Sequence, residues 1–387
     1  MRYYNIVITD PSSGAIWAPT ATGQLVKGPA LNTAPSGVST DSSGVSVVTV
    51  AAKSAFSPKY SFTSHPNGPG QPPDPGALNL EIDLPVSQFH TPQGGGTFRL
   101  HGVGLRMIGQ SANLNGQNVV LSAGMGKGLP LATAAYNGGQ SGIILQGQIW
   151  QAWGNWTGTE QTLDFVVFPG DLTPAGGVSF NWQAGQSLSS AIATSLTQAF
   201  PKYKQSINVA ALQVPKGATQ ADTQPSLMTF AAMLVRVTQP IGLKQYKDYP
   251  GVTATTDGKT IYVFDRTVPP GKTVKLVFQD LIGQPTWLDT ATITFQTVMR
   301  SDIDINDYIT FPAGIVSPYA QLTAGAVGPN VPAQSKSVFQ GTFAIIGMQH
   351  FGNFRQPDAA SWNTTFRAAV VNPTAIGATL LTSSLGL

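Results

Sequence analysis

Apolar and polar positions alternate most cleanly over residues 142–170, GIILQGQIWQAWGNWTGTEQTLDFVVFPG. Ile143, Leu145, Gly147, Ile149 and Gln151 fall on one side of a period-two pattern, and Ile144, Gln146, Gln148 and Trp150 on the other, as on a pleated strand. Beyond a polar, glycine-bearing centre, Leu163, Phe165 and Val167 alternate with Asp164, Val166 and Phe168. The pattern predicts a β-hairpin with its turn at 155–159.

The same alternation, punctuated by Gly and Pro, predicts short strands over 3–9, 45–51, 79–84, 96–102, 105–109 and 118–123. Strands at this spacing make an all-β sandwich or barrel. Closure into a barrel would also remove unpaired edges, which a chain with few lysines can hardly protect. Residues 11–44, rich in Gly, Ser, Thr and Pro, are expected to wrap the surface. The run HPNGPGQPPDPG at 65–76 has too many prolines for a helix or central strand. It is either a loose loop or an arm ordered against a partner.

The period changes after residue 170. Leu188, Ile192, Leu196 and Phe200 recur every four residues, with Ser187 placed to cap a helix and Pro201 to end it. A second helix is predicted over 226–238, on a stripe of Leu227, Phe230, Leu234 and Val237. Strands over 178–182, 207–212 and 259–264 flank the two helices, which makes residues 171–266 a small α/β domain inserted between β-rich domains at 1–170 and 267–387. In the last of these, strands are expected over 273–278, 291–298, 308–311, 339–350 and 364–371. The fold class is therefore mainly β with a small α/β portion.

Composition narrows the chemistry. The 387 residues include no cysteine, which removes disulfides, thiolate zinc sites and cysteine nucleophiles. Charged residues make up 10% of the chain, against about 25% in an average soluble domain. So little charge, with 42 glycines and 29 prolines, fits strands and turns whose surface is partly hidden in an assembly. The net charge of +3 is spread thinly, giving little support to sequence-specific nucleic-acid binding. No apolar run approaches the roughly 18 residues that would span a bilayer, and MRYYNIVITD lacks the apolar core of a secretory signal.

The candidate reactive groups are few. His65, His90, His101 and His350 lie without metal-ligand spacing and read as surface or loop residues. Glu81 and Glu160 are the only glutamates. Asp302, Asp304 and Asp307 in SDIDINDY suggest a calcium loop or a glycosidase pair, but the glycine and distal glutamate of an EF-hand are missing. On a strand, Asp302 and Asp304 would share a face opposite Ile303 and Ile305, a solvated edge. DGKT, PGKT and GMGKGLPL around Lys127 lack the spacing of a phosphate loop, and GGQSG places its serine one position from a nucleophile elbow. The site expectation is therefore no catalytic residue, no metal and no cofactor. Trp150, Trp153 and Trp156 are candidates for core or interface packing, with a sugar platform as the alternative.

Two stretches carry a family resemblance. The run GMGKGLPLATAAYNGGQSGIILQGQIWQAWGNWTGTEQTLDFVVFPG resembles the baseplate hub proteins of contractile-tailed bacteriophages. LIGQPTWLDTATITFQTVMRSDIDINDYITFPAG and MQHFGNFRQPDAASWNTTFRAAVV are similar to the second β-barrel of such hubs. There the chain closes with a His-x-Gly-x-x-Arg loop, here His350, Gly352 and Arg355, and a Trp-x-Thr strand, here Trp362 and Thr364.

The resemblance implies two β-barrel domains of similar type flanking the insertion. It implies a homotrimer whose six barrels join a sixfold tail tube to a threefold central spike and line the channel for genome ejection. Partners would be the tail tube protein, the central spike protein, baseplate wedge proteins and the tape measure protein, with transient, non-specific contact to genomic DNA. The location would be the virion baseplate, after assembly in the host cytoplasm. A carbohydrate-binding or polysaccharide-cleaving tail adhesin is the alternative.

Overall fold

The structure, a computed structural model, describes residues 2–19, 24–30, 39–40, 46–47, 62–66, 72–86, 96–125, 140–168, 174–214, 219–246, 249–258, 260–269, 272–289, 292–311, 339 and 341–371. It is mainly β, with helices concentrated in the middle of the chain.

The first part holds β1 (Arg2–Thr9), β2 (Ala15–Pro19), β3 (Leu25–Ala30), β4 (Ser39–Thr40), β5 (Ser46–Val47), β6 (Phe62–Thr63), β7 (Asn79–Val86), β8 (Gly96–His101), a short helix α1 (Leu105–Gly109), β9 (Asn118–Met125), β10 (Gly142–Thr157) and β11 (Glu160–Phe168). Six of these pair in the order β7-β8-β11-β10-β9-β1. Laid flat, β7 and β1 would stand five spacings, or about 24 Å, apart. Instead the Tyr4 phenol on β1 donates to the carbonyl of Leu78, at the foot of β7, at 2.6 Å. The sheet therefore curls on itself, and Tyr4, Ile6, Leu80, Ile82, Phe98, Leu121, Leu163 and Phe165 fill its interior.

The middle part comprises β12 (Val178–Gln183), α2 (Leu188–Ala199), β13 (Lys204–Asn208), β14 (Thr219–Gln224), α3 (Leu227–Gly242), β15 (Thr253–Thr256) and β16 (Thr260–Phe264). Ser187 accepts from the Ser190 amide to start α2, and Ser226 with Thr229 forms a reciprocal capping box at α3. The predicted apolar stripes meet over the strands: Leu188, Ile192, Leu196, Phe230 and Leu234 are buried with Trp182 and Val263. β13 runs parallel to β16, and β15 antiparallel to it.

The last part contains β17 (Thr273–Lys275), β18 (Thr286–Trp287), β19 (Thr292–Val298), β20 (Tyr308–Thr310), β21 (Thr342–Asn353) and β22 (Trp362–Val370). Strands β19, β22, β21 and β20 are successive neighbours. The rings of Phe295 on β19 and Phe311 just beyond β20 nevertheless lie 5.1 Å apart, so this sheet curls too. Its core is aromatic, with Phe295, Phe343 and Phe366 joined by Tyr262 and Phe264 from β16.

The two curled halves are one sheet. β7 pairs antiparallel with β21 from Met348↔Val86 to Asn353↔Glu81, which makes fifteen strands continuous. Trp362, at the start of β22, is buried in the first core rather than the second, and donates from its indole nitrogen to the Gly124 carbonyl at 3.0 Å. Gly352 faces this ring so closely that a Cβ there would stand 2.8 Å from it.

Several local expectations change. Residues 105–109 form α1, not a strand: Leu, Arg and Met favour helix, and the Met107 amide bonds back to Gly104. The hairpin turn is only Gly158 and Thr159, with Gly158 at φ +62°; side chains at 155 and 162 pair across strands that continue past the expected turn. The strand expected over 207–212 lies at β13, and the Asp265 carboxylate takes the Ala210 amide at 2.5 Å. The strand expected over 273–278 stops at Lys275 because the Asp280 carboxylate captures the Val277 amide, closing a 3₁₀ turn. Of the strand expected over 45–51, Ser46–Val47 is described. Residues 67–71 of the proline-rich run, and Lys127, Lys259 and Gly271 of the glycine-lysine turns, lie outside the described residues.

Candidate interface surface

Across β21, β7, β8, β11 and β10 the register aligns one row of side chains: Asn353, Glu81, Arg99, Asp164 and Trp153. The neighbouring row on the same face is Phe351, Asp83, Thr97, Val166 and Gln151. This outer face carries a hydrogen-bonded polar ladder. Asn353 Nδ2 donates to Glu81 Oε1 at 2.8 Å, and Gln349 Nε2 to Asp83 Oδ1 at 2.7 Å. Both bonds cross the β7–β21 seam. Arg99 Nε meets Asp164 Oδ1 at 2.5 Å, while Asn155 and Thr162 donate to Asp164 Oδ2.

The ladder floors a groove of about 440 Å³, lined also by Trp153, Phe351 and Gln356. Both aromatic rings are exposed, at 38% and 47%. Beyond the groove, Trp150 and Trp156 are more exposed still; Trp150 packs edge-on to Phe168 with centroids 5.4 Å apart. The three tryptophans of the hairpin are thus surface residues, so packing in this chain's core is ruled out for them. Bulges after Ile143 and after Ile149 explain the change. Each inserts a residue and flips the alternation, so that Ile144, Leu145, Ile149 and Ala152 face the core and Trp153 turns outward.

The histidines do not gather. His65 is buried, with Nδ1 2.7 Å from the Ser64 hydroxyl and its ring against Tyr3, and burial lowers its pKa. His350 is buried inside β21, with Nδ1 2.9 Å from Thr364 Oγ1. Neither is a surface residue: His65 lies in a loop, as expected, but buried, and His350 lies within a strand. His101 lies between the two glutamates, 3.1 Å from Glu81 and 3.8 Å from Glu160. His90 is outside the described residues, among which no three His, Asp or Glu side chains converge as a metal site.

The acidic cluster is also not a strand edge. Residues 301–307 turn, with Asn306 at φ +69°, and two cations hold the aspartates of the turn. Arg300, 3% exposed, binds Asp302 through Nε at 2.7 Å and Nη2 at 2.6 Å, and approaches Asp280 at 3.4 Å. Asp307 takes Lys272 at 3.1 Å and the Asp304 amide at 2.9 Å. Burial pushes the Asp307 carboxyl up to about 6 against the pull of Lys272. Ile303 and Ile305 sit in the core beneath. Asp302 and Asp307, fixed to Arg300 and Lys272, form a structural clasp between β19 and β20.

The residues singled out at the end of the chain do meet. His350 stands opposite Thr364 and Gly352 opposite Trp362 in the β21–β22 register. His350 and Gly352 belong to the strand, not to a loop; only Arg355 lies past it, and its guanidinium donates to the carbonyls of Pro75 and Ala77. Sequence reasoning missed Arg99, Asp83, Asn353 and Phe351. The one available signal was Asp164, a carboxylate inside the apolar run LDFVV, which demands a cross-strand partner.

No protein-family model matches the chain, and no curated protein matches it in sequence. Solved structures with a broad likeness include the 43 kDa tail protein of prophage MuSo2 from Shewanella oneidensis, 11% identical with a TM-score of 0.41 over 76% of this chain and 96% of that one. Another is the c3393 protein of E. coli, a type VI secretion system component described as structurally similar to the T4 bacteriophage tail proteins gp27 and gp5. It is 12% identical, with a TM-score of 0.39 over 76% of this chain and 73% of that one. A tail protein of Neisseria meningitidis is 11% identical, with a TM-score of 0.38 over 76% and 91%.

Proposed function

We propose that the chain is a structural hub of a phage-type tail, acting as a homotrimer that joins a sixfold tube to a threefold spike. The observation that carries this reading is the seam: two curled β halves, pairing edge to edge through β7 and β21, form one continuous sheet with two lobes. Three such chains would set six lobes around an axis, which meets the symmetry mismatch with a single sequence. Residues 1–170 and 267–387 would build the ring and line the passage for the genome. Residues 171–266 would lie to one side and face spike, wedge or tape measure proteins.

The sequence resemblance supports the same reading, because its His-x-Gly residues pair with its Trp-x-Thr residues across β21–β22 and with β7 across the seam. The exposed Trp150 and Trp156 supply a contact surface of the kind aromatic-rich interfaces use. The role is non-catalytic: Asp302 and Asp307 are held by Arg300 and Lys272 and have no free carboxylate pair to offer.

Light scattering across a dilution series, followed by negative-stain imaging, tests the reading. A trimer with a ring outline is expected. A chain that stays monomeric at high concentration, with tube and spike proteins added, would overturn it. Turnover of peptidoglycan or polysaccharide that disappears in Asp302→Asn or Asp304→Asn would overturn the non-catalytic role.

A further inference from the structure

The groove over the β7–β8–β11 ladder makes a demand that the hub reading does not use. Two aromatic side chains line it, Trp153 on β10 and Phe351 on β21, both open to solvent. Its floor offers hydrogen-bonding groups of both kinds. Asp83 binds Gln349 through Oδ1, leaving Oδ2 to accept. Arg99 uses Nε on Asp164, and its two terminal nitrogens have no partner among the described residues. Glu81 and Asp164 are fixed in place by Asn353, Arg99, Asn155 and Thr162, so the floor is preorganised.

Charge narrows the ligand. Three carboxylates, Glu81, Asp83 and Asp164, line the groove and repel an anion. Arg99, between Glu81 and Asp164, neutralises one of the three and offers its terminal nitrogens as donors in the middle of the row. A neutral ligand that both donates and accepts, and has flat apolar faces, matches the acceptors, the donors and the two aromatic side chains together, whereas a simple cation would use only the carboxylates. Hydroxyl groups donate to Asp83 and accept from Arg99, while ring C–H faces cover Trp153 and Phe351.

We infer that this groove is a binding site for a neutral oligosaccharide, held between Trp153 and Phe351 and hydrogen-bonded by Asp83 and Arg99. The role assigned to the groove is binding, not cleavage: Asp164 is taken up by Arg99, Asn155 and Thr162, and Glu81 by Asn353. A tail component with such a site could touch envelope glycan as well as its assembly partners.

The experiment is calorimetric titration of the full chain, in whatever oligomeric state it adopts, with chitotetraose and with cellotetraose. A tetralysine peptide and inorganic phosphate serve as cationic and anionic probes. Binding of at least one saccharide with Kd of about 1 mM or tighter is expected. Trp153→Ala and Phe351→Ala should each weaken it about tenfold, the loss of one aromatic contact. Trp156→Ala, outside the groove, should leave it unchanged, and matched melting curves would show that all three variants fold. Binding of neither saccharide, binding undiminished in both groove variants, or tighter binding of tetralysine or phosphate would overturn the inference. Light scattering reads the trimer separately, so failure here leaves the hub reading standing, and the reverse holds too.

Discussion

The two β halves use the same device, a curled antiparallel sheet around an apolar interior, yet they place their largest side chains oppositely. In the first half the hairpin tryptophans, Trp150, Trp153 and Trp156, all face solvent, and the interior is mostly aliphatic around a stacked Phe98–Phe165 pair. In the second, Trp287 packs on Phe339 and Phe343, and Phe295 stacks on Phe366. The second half also buries an ionic clasp, Arg300 with Asp280 and Asp302. The first half therefore turns its hairpin tryptophans outward, while the second packs Trp287 inward and leaves Phe278 and Phe351 as its exposed aromatics. Trp362 crosses the divide, growing from the second half into the interior of the first.

Breaking the shared tryptophan tests whether the halves are one cooperative unit. Trp362→Ala removes a fully buried ring and its bond to Gly124, and should cost about 3–5 kcal/mol. Urea unfolding followed by circular dichroism should show one transition moved to lower denaturant. Two separated transitions in the wild type would mean that the seam does not couple the halves.

Arg300→Met strips the counter-charge from Asp280, which is almost fully buried, and should cost about 3 kcal/mol. The same measurement reads it, and a loss under about 0.5 kcal/mol, the size of an ordinary surface change, would show the clasp to be incidental.

Acidity reaches the same turn more gently. Folded Asp307 keeps its proton up to about pH 6, whereas an unfolded Asp releases it near about 3.9. Between these values the folded chain binds the extra proton, so this group adds stability as pH falls from about 6 toward 4 and loses it as pH rises. The effect is read as the difference between wild type and Asp307→Asn, which should be flat in that window; an identical pH profile for the two would refute it.

The smallest effect on folding belongs to the hairpin surface. Trp150→Ala should change stability by no more than about 0.5–1 kcal/mol, the loss of an exposed edge-on ring pair. Its consequence should appear instead in light scattering, as weaker self-association. Unchanged association would remove Trp150 from the interface.

Much of this contrast was open to a reader of residues. The alternation of LDFVVF predicts β11, and the four-residue stripe with Ser187 predicts α2 and its cap. The sidedness of the tryptophans was not legible, because each bulge reverses a period-two pattern and nothing in GIILQGQIWQ marks where one falls. The aspartates of SDIDINDY looked like a strand edge because the partners that turn them, Lys272 from another segment and Arg300 held by the distant Asp280, are not marked by the local pattern. His350 alternates like any strand residue, and only its partner Thr364, across β22, shows it to be interior.

By itself, the sequence determined the class of the fold and the kind of surface: periods of two and about four, helix caps, no thiol chemistry, and too little charge for a freely solvated shell. These are short-range properties, set by which side chains neighbour one another within a few residues. The tertiary structure alone decided that β7 pairs with β21, that Trp362 belongs to the other half's core, and that Trp153 and Phe351 face one groove. The β7–β21 bonds alone join residues more than 260 positions apart. Their selection rests on the burial and hydrogen bonding of the whole sheet, which no local pattern encodes.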